Sequence, residues 1–214
     1  FANNIIPAYR LYQPALQFLS TYIALPNRPN NLLTFASDQS IDDDQIVGKI
    51  DYQVSTAHRW SWRLLYNYND TRQVAGTIPD LLASIVYRNW NGTFSDTWVA
   101  SPTVVNNLTF TAQNIRREQE AIAPAGKTWS DFGAGVVRAH REDTAAAVST
   151  NLTGYFNAFT RYPLFQERHF FHLNDSLSVT RGSHLIKLGG EWRYTRVDRV
   201  ERFQGDAALV FRGQ

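Results

Sequence analysis

Apolar and polar residues alternate along much of this chain, and the alternation is organised into segment pairs joined by tight turns. In the last pair QERHFFHLNDSLSV is followed by TRGSH and then LIKLGGEWRYTRVDR. One parity of the second segment carries Ile186, Leu188, Trp192 and Tyr194, and the other carries Lys187, Glu191 and Arg193. In the first segment Phe171, Leu173, Leu177 and Val179 oppose His172, Asn174, Ser176 and Ser178. Successive strand side chains point to opposite faces, so each segment predicts a strand with one apolar and one polar face. Each is about 12 residues long, beyond the roughly 5–6 of ordinary soluble strands and near the 9–11 that cross a bilayer at a tilt.

The same pattern occurs twice earlier. Ile46, Gly48, Ile50 and Tyr52 oppose Val47, Lys49 and Asp51; after Ser55-Thr56-Ala57-His58, Trp60, Trp62, Leu64, Tyr66 and Tyr68 alternate with Arg59, Ser61, Arg63, Asn67 and Asn69. Only Leu65 breaks the polar parity. Farther on, Trp90, Phe94 and Trp98 oppose Asn89, Asn91, Thr93, Ser95 and Thr97. The turn Ser101-Pro102-Thr103 leads to a return strand with Leu108, Phe110 and Ala112 on the apolar parity and Asn106 near its start. Trp and Tyr gathered on one parity suit the aromatic girdle of a bilayer interface.

The expected fold is therefore all-β, an antiparallel meander of about six long transmembrane strands. The hairpins are expected at 44–69, 87–116 and 166–199. Residues 1–43 and 117–165 read as long extracellular loops, and 200–214 as a loop and the start of another strand. Within the first loop, Pro14–Tyr22 is expected to form a short helix with Pro in its first turn. In the second, the stretch from Asn151 to Arg161 reads as a strand extension above the membrane. Short turns at one end and long loops at the other is the outer-membrane pattern. On this reading Ile50, Tyr52, Trp60, Trp62, Leu64, Tyr66, Trp90, Phe94, Trp98, Phe110, Phe171, Leu173, Leu177, Ile186, Leu188, Trp192 and Tyr194 face lipid or form the girdle. Lys49, Asp51, Arg59, Arg63, Lys187, Glu191 and Arg193 face the lumen.

Composition narrows the alternatives. The chain has 214 residues, a net charge of +2 and neither Cys nor Met. Without Cys there are no disulfides, no thiolate catalysis and no zinc-finger sites. Without Met the chain is expected to begin inside a longer reading frame or to be a processed product. The small charge excess is spread too evenly to imply nucleic acid as a partner. No run of 18 apolar residues is present, so no transmembrane helix is expected, and barrel strands would not raise the mean hydropathy of −0.34.

DSLSVTRGSHLIKLGGEWRY resembles a hairpin of TonB-dependent outer-membrane receptors, in particular the Oar-like group whose N-terminal module looks like a carboxypeptidase regulatory domain. The matching residues are Asp175, Gly182, His184, Leu188, Gly189, Gly190 and Glu191. The spaced prolines Pro7, Pro14 and Pro26, with Asn27, resemble the stretch before a barrel strand in that group. DQIVGKIDYQVSTAHRWSWRLLY and SPTVVNNLTFTAQNIRR resemble two further hairpin elements, with Lys49, Tyr52 and Asn107 as departures. The resemblance implies the bacterial outer membrane and a segment of a large barrel of roughly 22 strands, wide enough to need a plug. It implies uptake energised by the TonB complex, with the outer loops capturing a scarce small ligand. The implied partners are outer-membrane lipid, a plug domain of the same full-length chain, and TonB through a part of the protein outside these residues.

Candidate chemistry is sparse, and neither an enzyme nor a cofactor is expected. His169 and His172 are three apart, which on a strand puts them on opposite faces. Asp42-Asp43-Asp44 has no EF-hand spacing and reads as a solvated acidic cap before a strand. Gly133-Ala134-Gly135 and Gly189-Gly190 lack a phosphate-loop pattern. The Asn-x-Ser/Thr triplets at Asn69, Asn91, Asn107, Asn151 and Asn174 arise from Asn-rich strands. No nucleophile elbow is present. Two other readings stay open: a passive porin-like channel, and a soluble carbohydrate-binding β-sandwich whose apolar parities would face a second sheet.

Overall fold

A computed structural model of the chain describes residues 6–79, 81–122, 129–135, 149–159, 161–201 and 209–211. Six long strands form one antiparallel sheet. They are β1 (Ser40–Gln53), β2 (His58–Val74), β3 (Leu82–Ser101), β4 (Val104–Ile122), β7 (Leu164–Arg181) and β8 (His184–Glu201), in the order β1-β2-β3-β4-β7-β8. Three short strands, β5 (Ser149–Leu152), β6 (Phe156–Phe159) and β9 (Leu209–Phe211), form a second sheet in the order β6-β5-β9. The helix α1 (Gln13–Tyr22) precedes them all, with Pro14 in its first turn, where a missing N–H costs no intrahelical bond.

The long strands hold 14 to 20 residues. They outrun the hairpins expected from alternation because pairing continues past the apolar stretch: Asp42 pairs with Asp70, Ile85 with Gln119, and Leu164 with Glu201. The acidic triplet 42–44 thus lies inside β1 rather than ahead of it. Asp43 accepts a hydrogen bond from Asn67 Nδ2 at 2.6 Å, so β2 holds it in the ladder.

All three short turns lie at one end of the sheet. The β1–β2 turn is closed by Val54 N–H donating to His58 O at 3.0 Å, while the Ser55 hydroxyl accepts from the N–H groups of Ala57 and His58. The β7–β8 turn passes through Gly182 at φ +60°, where a side chain would crowd the backbone.

At the opposite end the connectors fold into a cap with its own core. Pro14, Phe18 and Tyr22 form one buried stripe on α1. Phe18 stacks on Trp129 with centroids 4.5 Å apart, and Ile78, Leu81, Phe132 and Ala158 complete the cluster. The helix expected within the first connector is present as α1 and docks into this core, and β1 already begins at Ser40. Nor does 151–161 extend the long sheet. Gly154 at φ +85° turns the chain back, and β5 and β6 pair with each other beneath Trp129, whose Nε1 donates to Thr150 Oγ1 at 2.8 Å. Pro124-Ala125-Gly126, the Ala-rich 143–148 and most of 200–214 lie outside the described residues.

Candidate functional site: a two-faced strand wall

The register carries one parity of each strand onto a single face. Ile50, Trp62, Phe94, Phe110, Leu173 and Trp192 are successive partners across all six strands. Gly48, Leu64, Gly92, Ala112, Phe171 and Tyr194 form the next row. Tyr52, Trp60, Tyr66, Trp90, Trp98, Leu177, Ile186 and Leu188 fall on the same face by the same pairing. No second sheet covers it among the described residues: Ile50 is 66% and Leu188 63% exposed. The soluble sandwich needs a cover here, and the three-stranded sheet instead packs on α1 in the cap.

The apolar band runs obliquely to the strands. It is centred on Leu64 in β2, between Trp60 and Tyr68, and on Gly190 in β8, between Ile186 and Tyr194. Leu64 is in register with Tyr194, so the band slips four residues across four strand steps. That is about 14 Å along the strands against about 19 Å across them, an inclination of about 35°. Strands crossing a bilayer tilt by about that angle.

Two carboxylates interrupt the band, and neither was singled out by alternation. Asp96 lies beside His58, whose Nδ1 is 3.1 Å from its Oδ2, and Asp175 accepts from Asn106 Nδ2 at 2.8 Å. Both are in the row of Trp60, Leu108 and Gly190. A polar group on a membrane-facing surface survives when it has a partner. For Asp96 the only signal in sequence was its parity, whereas Asp175 also stood among the residues that carry the family resemblance.

The other face is mostly polar, with Val47, Leu65, Ile115 and Phe170 among its apolar exceptions. Lys49, Asp51, Arg59 and Arg63 occupy it on β1 and β2, and Lys187, Glu191 and Arg193 on β8. Lys49 Nζ is 2.8 Å from Asp51 Oδ2, while Arg193 Nη2 at 2.9 Å and His172 Nε2 at 3.2 Å converge on Glu191. Lys49 faces Arg63 directly across the ladder. Between these charged flanks runs a neutral column on β3 and β4, in which Thr93 meets Thr111, Ser95 meets Thr109 and Thr97 donates to Asn107. His169 lies on the apolar parity beside Asn114, away from His172. Among the described residues no cluster of His, Cys, Asp or Glu is arranged to hold a metal.

Toward the cap end the polar face carries Gln166, Arg168 and Arg199 and, one residue past the hairpin bound read from sequence, Arg117. Within the cap, a cavity of about 670 Å³ opens between α1 and β6, lined by Leu19, Ile23, Leu33, Ile78 and Phe156.

A family model described as an outer membrane beta barrel domain matches residues 1–214. The chain belongs to this outer-membrane β-barrel family. Neither a curated protein nor a solved structure is found to match it. The barrel lies in the bacterial outer membrane, which explains an exposed apolar face on a chain in which no described helix is long and apolar enough to cross a bilayer. With the family established, the sandwich reading is overturned.

Proposed function

We propose that this barrel is the wall and outer-loop part of a TonB-dependent receptor of the Oar-like group. The outer loops capture a scarce small ligand, and TonB-coupled work on a plug of the same full-length protein opens the path inward. The apolar face, from Ile50 and Trp62 to Leu188 and Trp192, meets lipid, and the face carrying Lys49, Asp51, Arg59, Arg63, Lys187, Glu191 and Arg193 meets lumen and plug. The short turns are periplasmic and the cap extracellular.

The observation that carries this reading is the hairpin of Asp175, Gly182, His184 and Gly189-Gly190-Glu191, which resembles that group residue by residue. The structure gives its glycines distinct physical jobs: Gly182 turns the chain, and Gly189 permits close backbone approach. The cap, with its apolar cavity, supplies a preformed surface for capture. The experiment is conductance of the intact protein in a planar bilayer with KCl. A plugged receptor stays closed, and deletion of the plug opens it. A large steady conductance from the untreated intact protein would replace this reading with a passive channel.

A further inference from the structure

We propose that Arg117 and Arg168 form a binding site for a small oxyanion, a carboxylate or phosphate group, at the cap end of the polar face. The assignment of that face to the lumen rests on the function proposed above; the site itself is read from geometry.

Arg117 on β4 pairs with Gln166 on β7 and with Tyr87 on β3, and Arg168 is two residues from Gln166 on the same parity. With Ile115 these residues line a cavity of about 290 Å³. That lies at the lower edge of the range for small-molecule sites, a size for an anionic group rather than a bulky ligand.

The first guanidinium is held in place before any ligand arrives. It lies over the Tyr87 ring, 5.6 Å from the centroid, and its Nη2 donates to Gln119 Oε1 at 2.7 Å. Gln119 is buried and anchored in turn, its Nε2 donating to the Tyr162 carbonyl at 2.9 Å. Yet Arg117 Nε is enclosed and donates to nothing. An enclosed charged donor without an acceptor is costly, and an oxyanion in the cavity relieves that cost.

Nearby carboxylates are engaged elsewhere. Glu201 pairs with Arg199 and accepts from the Tyr162 hydroxyl, and Glu118 lies on the opposite face with Arg88 and Arg116. Arg168 has no ion pair or hydrogen bond among the described residues and stays exposed. Two guanidiniums on neighbouring strands repel one another until an anion lies between them, and their planar forks suit carboxylate and phosphate alike.

The test is calorimetric titration of the intact protein, purified in detergent, with inorganic phosphate and separately with acetate. Folding is scored independently by heat-modifiable gel migration. Phosphate or acetate should bind the parent, at least tenfold more weakly in Arg168→Gln and in Arg117→Gln, and more weakly at high salt. Arg168→Lys should keep part of the affinity. Binding of phosphate alone or of acetate alone supports the site and names its source. If Arg117→Gln fails to fold, exposed Arg168→Gln carries the test. A folded parent that binds neither anion, or equal affinity in the parent and Arg168→Gln, overturns the site. Neither result touches the conductance test, so the two readings fail separately.

Discussion

Gly189 of β8 lies so close to Asp175 of β7 that a Cβ at Gly189 would stand 2.8 Å from the Asp175 carbonyl oxygen. The obstacle is backbone, which cannot swing aside as a side chain does. Gly189→Ala should therefore destabilise the intact barrel by about 1–3 kcal/mol, the range of an overpacked site. Gly190, its neighbour, has nothing within 4 Å of such a Cβ, so Gly190→Ala should stay within about 0.5 kcal/mol. Urea midpoints for folding into lipid vesicles check both. Equal midpoints for the two variants would remove the packing reason for the first glycine.

Phe94 and Thr93 are adjacent in β3 and point to opposite faces. Phe94 stands in the row of Ile50, Trp62, Phe110, Leu173 and Trp192, so Phe94→Arg should cost about 2–4 kcal/mol, as for a cation at the bilayer midplane. Thr93→Arg faces the hydroxyl and amide column and should cost less than about 1 kcal/mol. Folding titrations of both variants in vesicles decide it. An equal cost would mean that the lipid assignment of the two faces is wrong.

How far the sequence discloses this wall follows from the physics of strands. A period of two is a local property, so the parity of Trp62, Leu188 or Lys49 can be read without partners. Register is not local. That Ile50 and Trp192 belong to one row, or that Lys49 faces Arg63, depends on pairings fixed by turn geometry and on strands far apart in sequence. The strand ends were hidden because polar ladders such as Asp42 with Asp70 carry no apolar signal. The cap was hidden for the opposite reason: Phe18, Ile78, Trp129 and Ala158 come from four separate stretches with no shared period. The anion site fell between these, since Arg117 and Arg168 lie on the polar parity just beyond the apolar stretch that marks the hairpins.

His58 and Asp96 form a polar pair within the apolar band, 3.1 Å apart. Removing His58 leaves a carboxylate there without its partner, whereas removing Asp96 leaves an imidazole that can be neutral. His58→Ala should therefore cost more than Asp96→Ala, with a difference of about 1–3 kcal/mol. The double variant should recover part of the His58→Ala loss. A double-mutant cycle of folding free energies in vesicles measures this coupling, and strictly additive costs would show that the two groups do not support each other.

Trp129 joins the cap at two points, stacking on Phe18 and donating Nε1–H to Thr150 Oγ1 at 2.8 Å while only 5% exposed. Its truncation leaves a void among Phe18, Phe132 and Ala158, and Trp129→Ala should cost the cap about 3–5 kcal/mol. The long sheet has its own ladder and shares little of this core, so the damage should stay local. The expected outcome is rapid protease cleavage in residues 6–35 and 129–159 with unchanged heat-modifiable migration of the barrel. Trp129→Phe keeps the ring over Phe18 and loses the hydrogen bond, so it should fall between, at about 1 kcal/mol plus the smaller ring's lost packing. Because α1 and β6 line the apolar cavity, a molten cap should also lose any ligand captured there. If Trp129→Ala instead unfolds the whole barrel, cap and wall are one cooperative unit, and the loops cannot rearrange around a ligand independently of the strands beneath them.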